Sequence, residues 1–286
     1  MSSTLLPVAL CLFSAVTVAL VNVLVKRGGD VLVTRAMVAI VMGLSVIPLA
    51  PFVPLPPPET WGLIAASMCV HWLYQFCLVR ALHRGELSLV YPVMRGLGPL
   101  ATAVLAAVFL KEFLSPLQVA GLIAASGAIL VFALPTGATP LARALDRDAL
   151  VWAAFTAVGV GLYAVTDAKA VRAMETPLTF VVWLFLLDWI GVTSVMLWQR
   201  KGRVLAAMRP HWRKCLVGGL AGSLSYGAAI YAYALTDAAM VTALRETSVV
   251  FAAAFGAFLL KEGFGRRRMV AAAVLAAGLV LMQAAG

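Results

Sequence analysis

The stretches VMRGLGPLATAVLAAVFLKE, residues 93–112, and ALRETSVVFAAAFGAFLLKE, residues 243–262, lie 150 positions apart and share one plan. Each sets an arginine, Arg95 or Arg245, ahead of a long run of Leu, Val, Ala and Phe, and each ends on Leu-Lys-Glu. Runs of this kind suit the hydrocarbon core of a bilayer, which takes about 20 apolar residues per helix. The rest of the chain is similar. Of its 286 residues, 63% are hydrophobic and 12% charged, and its mean hydropathy is +1.00. Soluble domains carry about 25% charged residues. A soluble core cannot absorb that apolar excess, so lipid is the solvent for most of the chain.

Charge, proline and glycine divide the sequence into ten apolar spans, near 4–25, 32–50, 60–81, 87–110, 116–134, 149–170, 177–198, 214–236, 239–260 and 267–285. The fold class is therefore an all-α membrane protein with ten transmembrane helices. The polar, turn-rich segment LPTGATPLARALDRD, residues 134–148, reads as a central linker. It sets a first half at 1–134, a linker at 135–148 and a second half at 149–286. The proline-rich run at 51–59 is a stiff extended connector. The first apolar stretch lacks a basic leader and reads as a spanning helix rather than a cleaved signal. Cys11, Cys69, Cys77 and Cys215 form no CxxC pair and sit in or beside apolar runs, as small hydrophobes do.

The net charge of +10 would suggest nucleic acid in a soluble protein. In a membrane protein it reports orientation instead, because Lys and Arg collect in cytoplasmic loops. The loops after spans 1, 3, 5, 7 and 9 hold sixteen basic residues: Lys26, Arg27, Arg80, Arg84, Arg143, Arg147, Arg200, Lys201, Arg203, Arg209, Arg213, Lys214, Lys261, Arg266, Arg267 and Arg268. The opposite side holds only Lys111, Lys169 and Arg172. That bias places the odd-numbered loops in the cytoplasm and both termini outside.

The two halves repeat each other. Phe13-Ser14-Ala15-Val16-Thr17-Val18-Ala19-Leu20 parallels Phe155-Thr156-Ala157-Val158-Gly159-Val160-Gly161-Leu162, and Ala81-Leu82 parallels Ala234-Leu235. Five spans per half is an odd number, so equivalent helices cross the membrane in opposite directions. Such inverted-topology repeats are a common architecture of alternating-access carriers.

Ala81-Leu82, Tyr91-Pro92 to Pro99, Lys111-Glu112-Phe113-Leu114-Ser115, Gln118 and Gly121 in the first half, with Arg245-Glu246-Thr247-Ser248 and Leu260-Lys261-Glu262 in the second, resemble the drug/metabolite transporter superfamily in its ten-helix EamA-type branch. Within that branch, Arg-Glu-Thr-Ser on span 9 and the aromatic-rich spans 3 and 8 are similar to bacterial exporters of aromatic and other hydrophobic amino acids. The resemblance implies a multi-pass protein of the bacterial inner membrane, export of a small molecule without a cofactor, and a cavity lined mainly by spans 1, 3, 4, 6, 8 and 9. One departure is Val249 where the first half has Pro99.

Charged side chains inside a bilayer mark functional sites unless a partner explains them. Arg95 lies about two turns into span 4 beside Pro92, Gly96, Gly98 and Pro99. A guanidinium beside a distorted helix suits a carboxylate ligand; the alternative is a tie to backbone carbonyls. Arg245 and Glu246 diverge by about 100° on their helix and cannot pair well with each other. An amino-acid zwitterion needs a donor and an acceptor, which an Arg and Glu246 supply; the alternative is a gate or fold-locking salt bridge. Asp188, mid-span in helix 7, is a candidate coupling group or a structural partner. Arg35 can snorkel. Asn22 and Asp167, near the far ends of spans 1 and 6, have a weaker case.

His71, Tyr74, Gln75 and Leu78 form one stripe on span 3 at i, i+3, i+4, i+7. Tyr226 and Tyr233 form another on span 8, Tyr91 shares a face with Arg95, and Tyr163 is mid-span in helix 6. A tyrosine offers an apolar ring with a polar tip, which suits a pocket for hydrophobic side chains. Other classes lack their signatures: HExxH, GxSxG and Walker-type loops are absent, and isolated charges do not make a channel's rings. The function expected is export of hydrophobic or aromatic amino acids by a monomeric, non-enzymatic carrier, with a broader metabolite or drug exporter as the alternative. No nucleic acid is implied.

Overall fold

A computed structural model describes residues 2–25, 30–84, 87–133, 147–200, 209–210, 212–260 and 266–284. Its helices are α1 (Ser2–Val25), α2 (Val31–Val46), α3 (Trp61–Arg84), α4 (Leu87–Phe109), α5 (Pro116–Ala133), α6 (Arg147–Arg172), α7 (Pro177–Arg200), α8 (Trp212–Leu235), α9 (Ala238–Arg245), α10 (Ser248–Leu260) and α11 (Arg266–Ala284). Two short 3-10 turns, Ile47–Phe52 and Pro58–Thr60, take up both ends of the proline-rich run, which is free of helix only over 53–57. No strand occurs among the described residues. Among the described residues, six segments are long and apolar enough to cross a membrane: Leu32–Phe52, Pro58–Arg84, Val90–Phe109, Arg147–Arg172, Pro177–Arg200 and Trp212–Leu235. Leu5–Leu20, Pro116–Val131 and Met269–Ala284 are shorter apolar helices. Large side chains turned outward, such as Phe113 at 75% exposed and Trp198 at 74%, suit a lipid surround.

Two expectations change. The prolines of α4 do not break it: the helix runs through Pro92 and Pro99. Each proline removes one backbone donor, and transmembrane helices tolerate that loss. The break falls instead in the ninth span, where α9 ends at Arg245 and α10 starts at Ser248. Lys261-Glu262, residues 134–146 of the linker, the loop residues Lys26, Arg27, Arg143, Lys201 and Arg203, and the side chain of Asn22 lie outside the described residues.

The chain forms two compact units. The first comprises Met1–Trp72 and Thr166–Leu235, the second Leu73–Val165 and Thr236–Gly286. Each draws on both halves of the sequence, and α3 and α6 contribute to both.

In the first unit, α1 packs on α8, and α2 packs on α7 and α8. Lipid tails are as apolar as leucine, so helices here associate by close packing and hydrogen bonds. Leu32, Val33, Ala36, Met37 and Ala39 of α2 meet Val192, Met196 and Cys215. Gly219 lets α8 approach α2 so closely that a Cβ there would sit 2.5 Å from Val41 Cβ. Gly219 thus serves the packing of α8 on α2. Hydroxyls tie the same pairs: Ser14 to Ser225 at 3.0 Å and Ser45 to Ser223 at 2.9 Å. Asp30 caps α2 by accepting the Leu32 and Val33 amides and also pairs with Arg200 at the end of α7.

In the second unit α5 packs on α11 and α4, and α9 on α4. The tightest point pairs two glycines: a Cβ on Gly121 would lie 2.5 Å from the Gly278 carbonyl, and one on Gly278 2.6 Å from that of Gly121. The Ser115 and Gln118 side chains bond each other's amides at 3.3 and 2.8 Å, a reciprocal capping box that starts α5. Just before it, Lys111 takes a left-handed φ of 61° and turns the chain out of α4. Glu112 then reaches across to accept the Ala238 amide at 2.8 Å, which closes the N-terminus of α9. The Lys-Glu motif of the first half is therefore structural at both residues.

Candidate functional site

Each unit holds a buried polar cluster. That of the second unit begins with Arg95 on α4. Its Nη1 donates to Glu246 Oε1 at 3.1 Å, and its Nη2 donates to the Tyr91 hydroxyl at 2.9 Å. Tyr91 stands one turn back on α4, so the i, i+4 spacing delivers its ring and hydroxyl to the guanidinium. Glu246 comes from the break between α9 and α10. There the backbone tightens into i→i−3 bonds: Glu246 N–H to Ala243, Thr247 N–H to Leu244 and Val249 N–H to Glu246. The Thr247 hydroxyl also bonds the Leu244 carbonyl at 2.7 Å, so that oxygen accepts from both the backbone and the side chain of Thr247. Non-helical backbone at this depth is tolerated only where it is buried in protein or lines a water-filled cavity.

The pair is only partly satisfied. Glu246 Oε2 and the neighbouring Ser248 Oγ are buried and have no hydrogen-bond partner among the described residues. The Glu246 side chain is 3% exposed, whereas that of Arg95 is 21% exposed, so the cation is the more accessible member. Arg245 stands beside Glu246 and adds its charge to that side chain's surroundings. Tyr74 and Tyr163 meet edge to face with ring centroids 5.1 Å apart, and both fall within electrostatic reach of Arg95. Gly159 allows that approach, for a Cβ there would press on Tyr74 at 3.2 Å. The result is a charged pair edged by three tyrosine rings. Gln75 belongs to the same unit, with Oε1 buried and unpartnered among the described residues.

The cluster of the first unit centres on Asp167, a residue whose place near the far end of span 6 gave it a weaker case in the sequence. It is 0% exposed. Ser67 donates to its Oδ1 and Tyr226 to its Oδ2, while His71 Nε2 lies 3.0 Å from Oδ2. His71 and Tyr226 also pack edge to face, with Phe185 against Tyr226. Asp188 on α7 is tied through its backbone carbonyl, which accepts the Trp72 indole N–H at 2.8 Å. Its Oδ1 is buried without a partner among the described residues, and the charged groups acting on it are His71 and Asp167.

The structure thus gathers Arg95, Glu246, Tyr91, Tyr74 and Tyr163 in one cluster and His71, Tyr226 and Asp188 around Asp167 in the other. Tyr233 is fully buried, and its carbonyl accepts the Arg172 Nε–H at 2.8 Å. Sequence reasoning gave Asp167 a weaker case and did not single out Ser67. The available hint was His71, which lies one turn from Ser67 on the stripe of α3.

A solved structure titled "Crystal structure of protein" is similar to this chain, with 19% identity and a TM-score of 0.75 over 99% of this chain and 97% of its own. At that identity the likeness speaks for the fold alone. No curated protein matches the chain. The profile of the EamA-like transporter family fits residues 5–134 and fits again over 148–283. By that double match the chain belongs to the EamA-like transporter family of membrane proteins.

Proposed function

We propose that this protein is a secondary transporter that exports hydrophobic, including aromatic, amino acids from the cytoplasm by alternating access. The observation that carries the reading is the half-used ion pair. Arg95 and Glu246 hold each other through one guanidinium nitrogen and one carboxylate oxygen, while Glu246 Oε2 is buried and unpartnered among the described residues. A zwitterion completes such a pair from both sides: its carboxylate takes the more accessible guanidinium, and its ammonium takes the free oxygen. The rings of Tyr91, Tyr74 and Tyr163 then offer apolar faces and hydroxyls to the side chain.

Ten spans in two inverted halves, domains at 1–134 and 149–286, both termini outside a bacterial inner membrane and action as a monomer complete the proposal. The loop charges and the repeated motifs support them. The test is counterflow in proteoliposomes preloaded with tryptophan or phenylalanine, run against a lipophilic cation. Exchange of the amino acids, lost in Arg95→Ala, is the expected result. Exchange of the cation alone would favour the second reading, a drug or metabolite exporter, which the unpartnered oxygens of Glu246 and Asp188 make reasonable.

A further inference from the structure

We propose that Asp167, His71, Tyr226 and Ser67 form a proton-binding site that couples solute export to proton entry. This goes beyond the amino-acid reading, since it concerns the other unit's cluster and requires only that the protein be a transporter.

The argument starts from who contacts the carboxylate. Asp167 is fully buried, and its partners among the described residues are a serine hydroxyl, a tyrosine hydroxyl and an imidazole. A buried carboxylate needs a countercharge. Contrast Glu246, whose partner Arg95 is always charged and fixes the pair's state. Among the described residues, the only group contacting Asp167 that can supply positive charge is His71, which does so only by holding a proton. Protons, not a fixed cation, therefore set the charge of this cluster.

The surrounding elements reinforce that dependence. From α7, Asp188 adds a second carboxylate whose acting charges are His71 and Asp167. From α8 comes Tyr226, and from α3 His71 with Ser67. Helix α1 carries no charged residue, α2 only Arg35 in its second turn, and α6 itself adds Lys169 and Arg172 beyond Asp167. Two acids and one base reach neutrality only when two protons are aboard. The hydroxyls of Tyr226 and Ser67 stabilise the charged form by donating to it. Tyr226 Oη also stands 3.4 Å from His71 Nε2, so imidazole and carboxylate share one hydroxyl that can turn between them.

The step is simple to balance. A proton from water forms an N–H bond on His71 or an O–H bond on Asp167 and later leaves by breaking the same bond. No electrons move and no further reactant is needed.

The test uses the purified full-length protein in lipid vesicles, first with no solute present. Infrared difference spectra taken across a pH titration should show a protonated-carboxyl C=O band that disappears in Asp167→Asn. It should persist in Tyr226→Phe with its midpoint moved by about one pH unit, the size expected from loss of one hydrogen bond to a charged group. Persistence of the band in Asp167→Asn, or its loss in Glu246→Gln instead, would overturn the proposal. Should Asp167→Asn fail to fold, an unmoved midpoint in both Tyr226→Phe and His71→Gln overturns it equally. Vesicle uptake of tryptophan under an imposed pH gradient then separates the two readings. A wild-type protein that shows the band but moves no amino acid leaves the proton site standing and removes the amino-acid assignment. Gradient-driven uptake that is undiminished in Asp167→Asn does the reverse.

Discussion

Glu112 accepts the backbone N–H of Ala238 at 2.8 Å, so an acid 126 residues upstream serves as the cap that Asp237, whose side chain makes no capping hydrogen bond, does not provide. The contact places a negative charge at the positive end of α9 as well as satisfying an orphan donor. Replacing Glu112 by Ala should lower stability by about 0.5–2 kcal/mol, the usual range for a lost cap. Glu112→Gln, which keeps the acceptor and drops the charge, should fall between. Thermal unfolding in detergent, followed by the far-ultraviolet helix signal, checks the order.

Lys111 supplies a second stability prediction. A non-glycine residue at φ 61° is held in the left-handed region at a cost of roughly 1–2 kcal/mol. Lys111→Gly should therefore raise the midpoint of unfolding, and the β-branched Lys111→Val should lower it. The same melting assay reads both, and equal midpoints would show that the neighbouring turn, not the φ angle, controls this corner.

Arg95 and Glu246 should behave as a unit. Removing either alone leaves an uncompensated buried charge, which costs roughly 3–5 kcal/mol. Arg95→Ala and Glu246→Ala should each reduce the yield of monodisperse protein, and the double variant should recover most of it while remaining inactive in counterflow. Arg95→Lys should keep the fold but weaken solute binding by at least about tenfold, because an ammonium lacks the fork that reaches Glu246 and Tyr91 together. Recovery of transport in the double variant would sink the proposed role of the pair.

The crossing of α5 and α11 admits no side chain at its centre. Gly121→Ala places a Cβ 2.5 Å from the Gly278 carbonyl, and neither backbone can yield without parting the helices. A loss of about 1–3 kcal/mol is expected from overpacking. Gly127, which has open space around it, is the matched control. Fluorescence-detected size exclusion after heating should separate the two variants.

Much of this was legible before any coordinates. The apolar run of the fourth span predicts 87–110 and the helix is Leu87–Phe109, because in lipid nearly every backbone donor must be met within its own helix. Arg95, Glu246 and Tyr91 announced themselves as charges and a hydroxyl at membrane depth. The break at Glu246-Thr247 did not. No Pro or Gly marks it, and its only local trace is Thr-Ser, whose hydroxyls compete for helical carbonyls. Asp167 was misjudged for a related reason. Position along a helix gives depth but not which neighbours cover a face, and the partners that bury Asp167 lie 100, 96 and 59 positions away.

Helix α9 has eight residues, about 12 Å of rise, too little to hold its own shape. Its order is borrowed, chiefly from one side: Glu112, just past the end of α4, grips its first amide, and Arg95, within α4, grips the carboxylate just past its last turn. It is strapped along α4 with a buckle at each end. One buckle is a backbone contact that no solute competes for; the other is made of the two side chains a zwitterion would seek. Opening only the second would leave the strap hinged at the first, so an exchange of partners there would tilt the whole segment, with the joint at residues 246–247 to take up the bend.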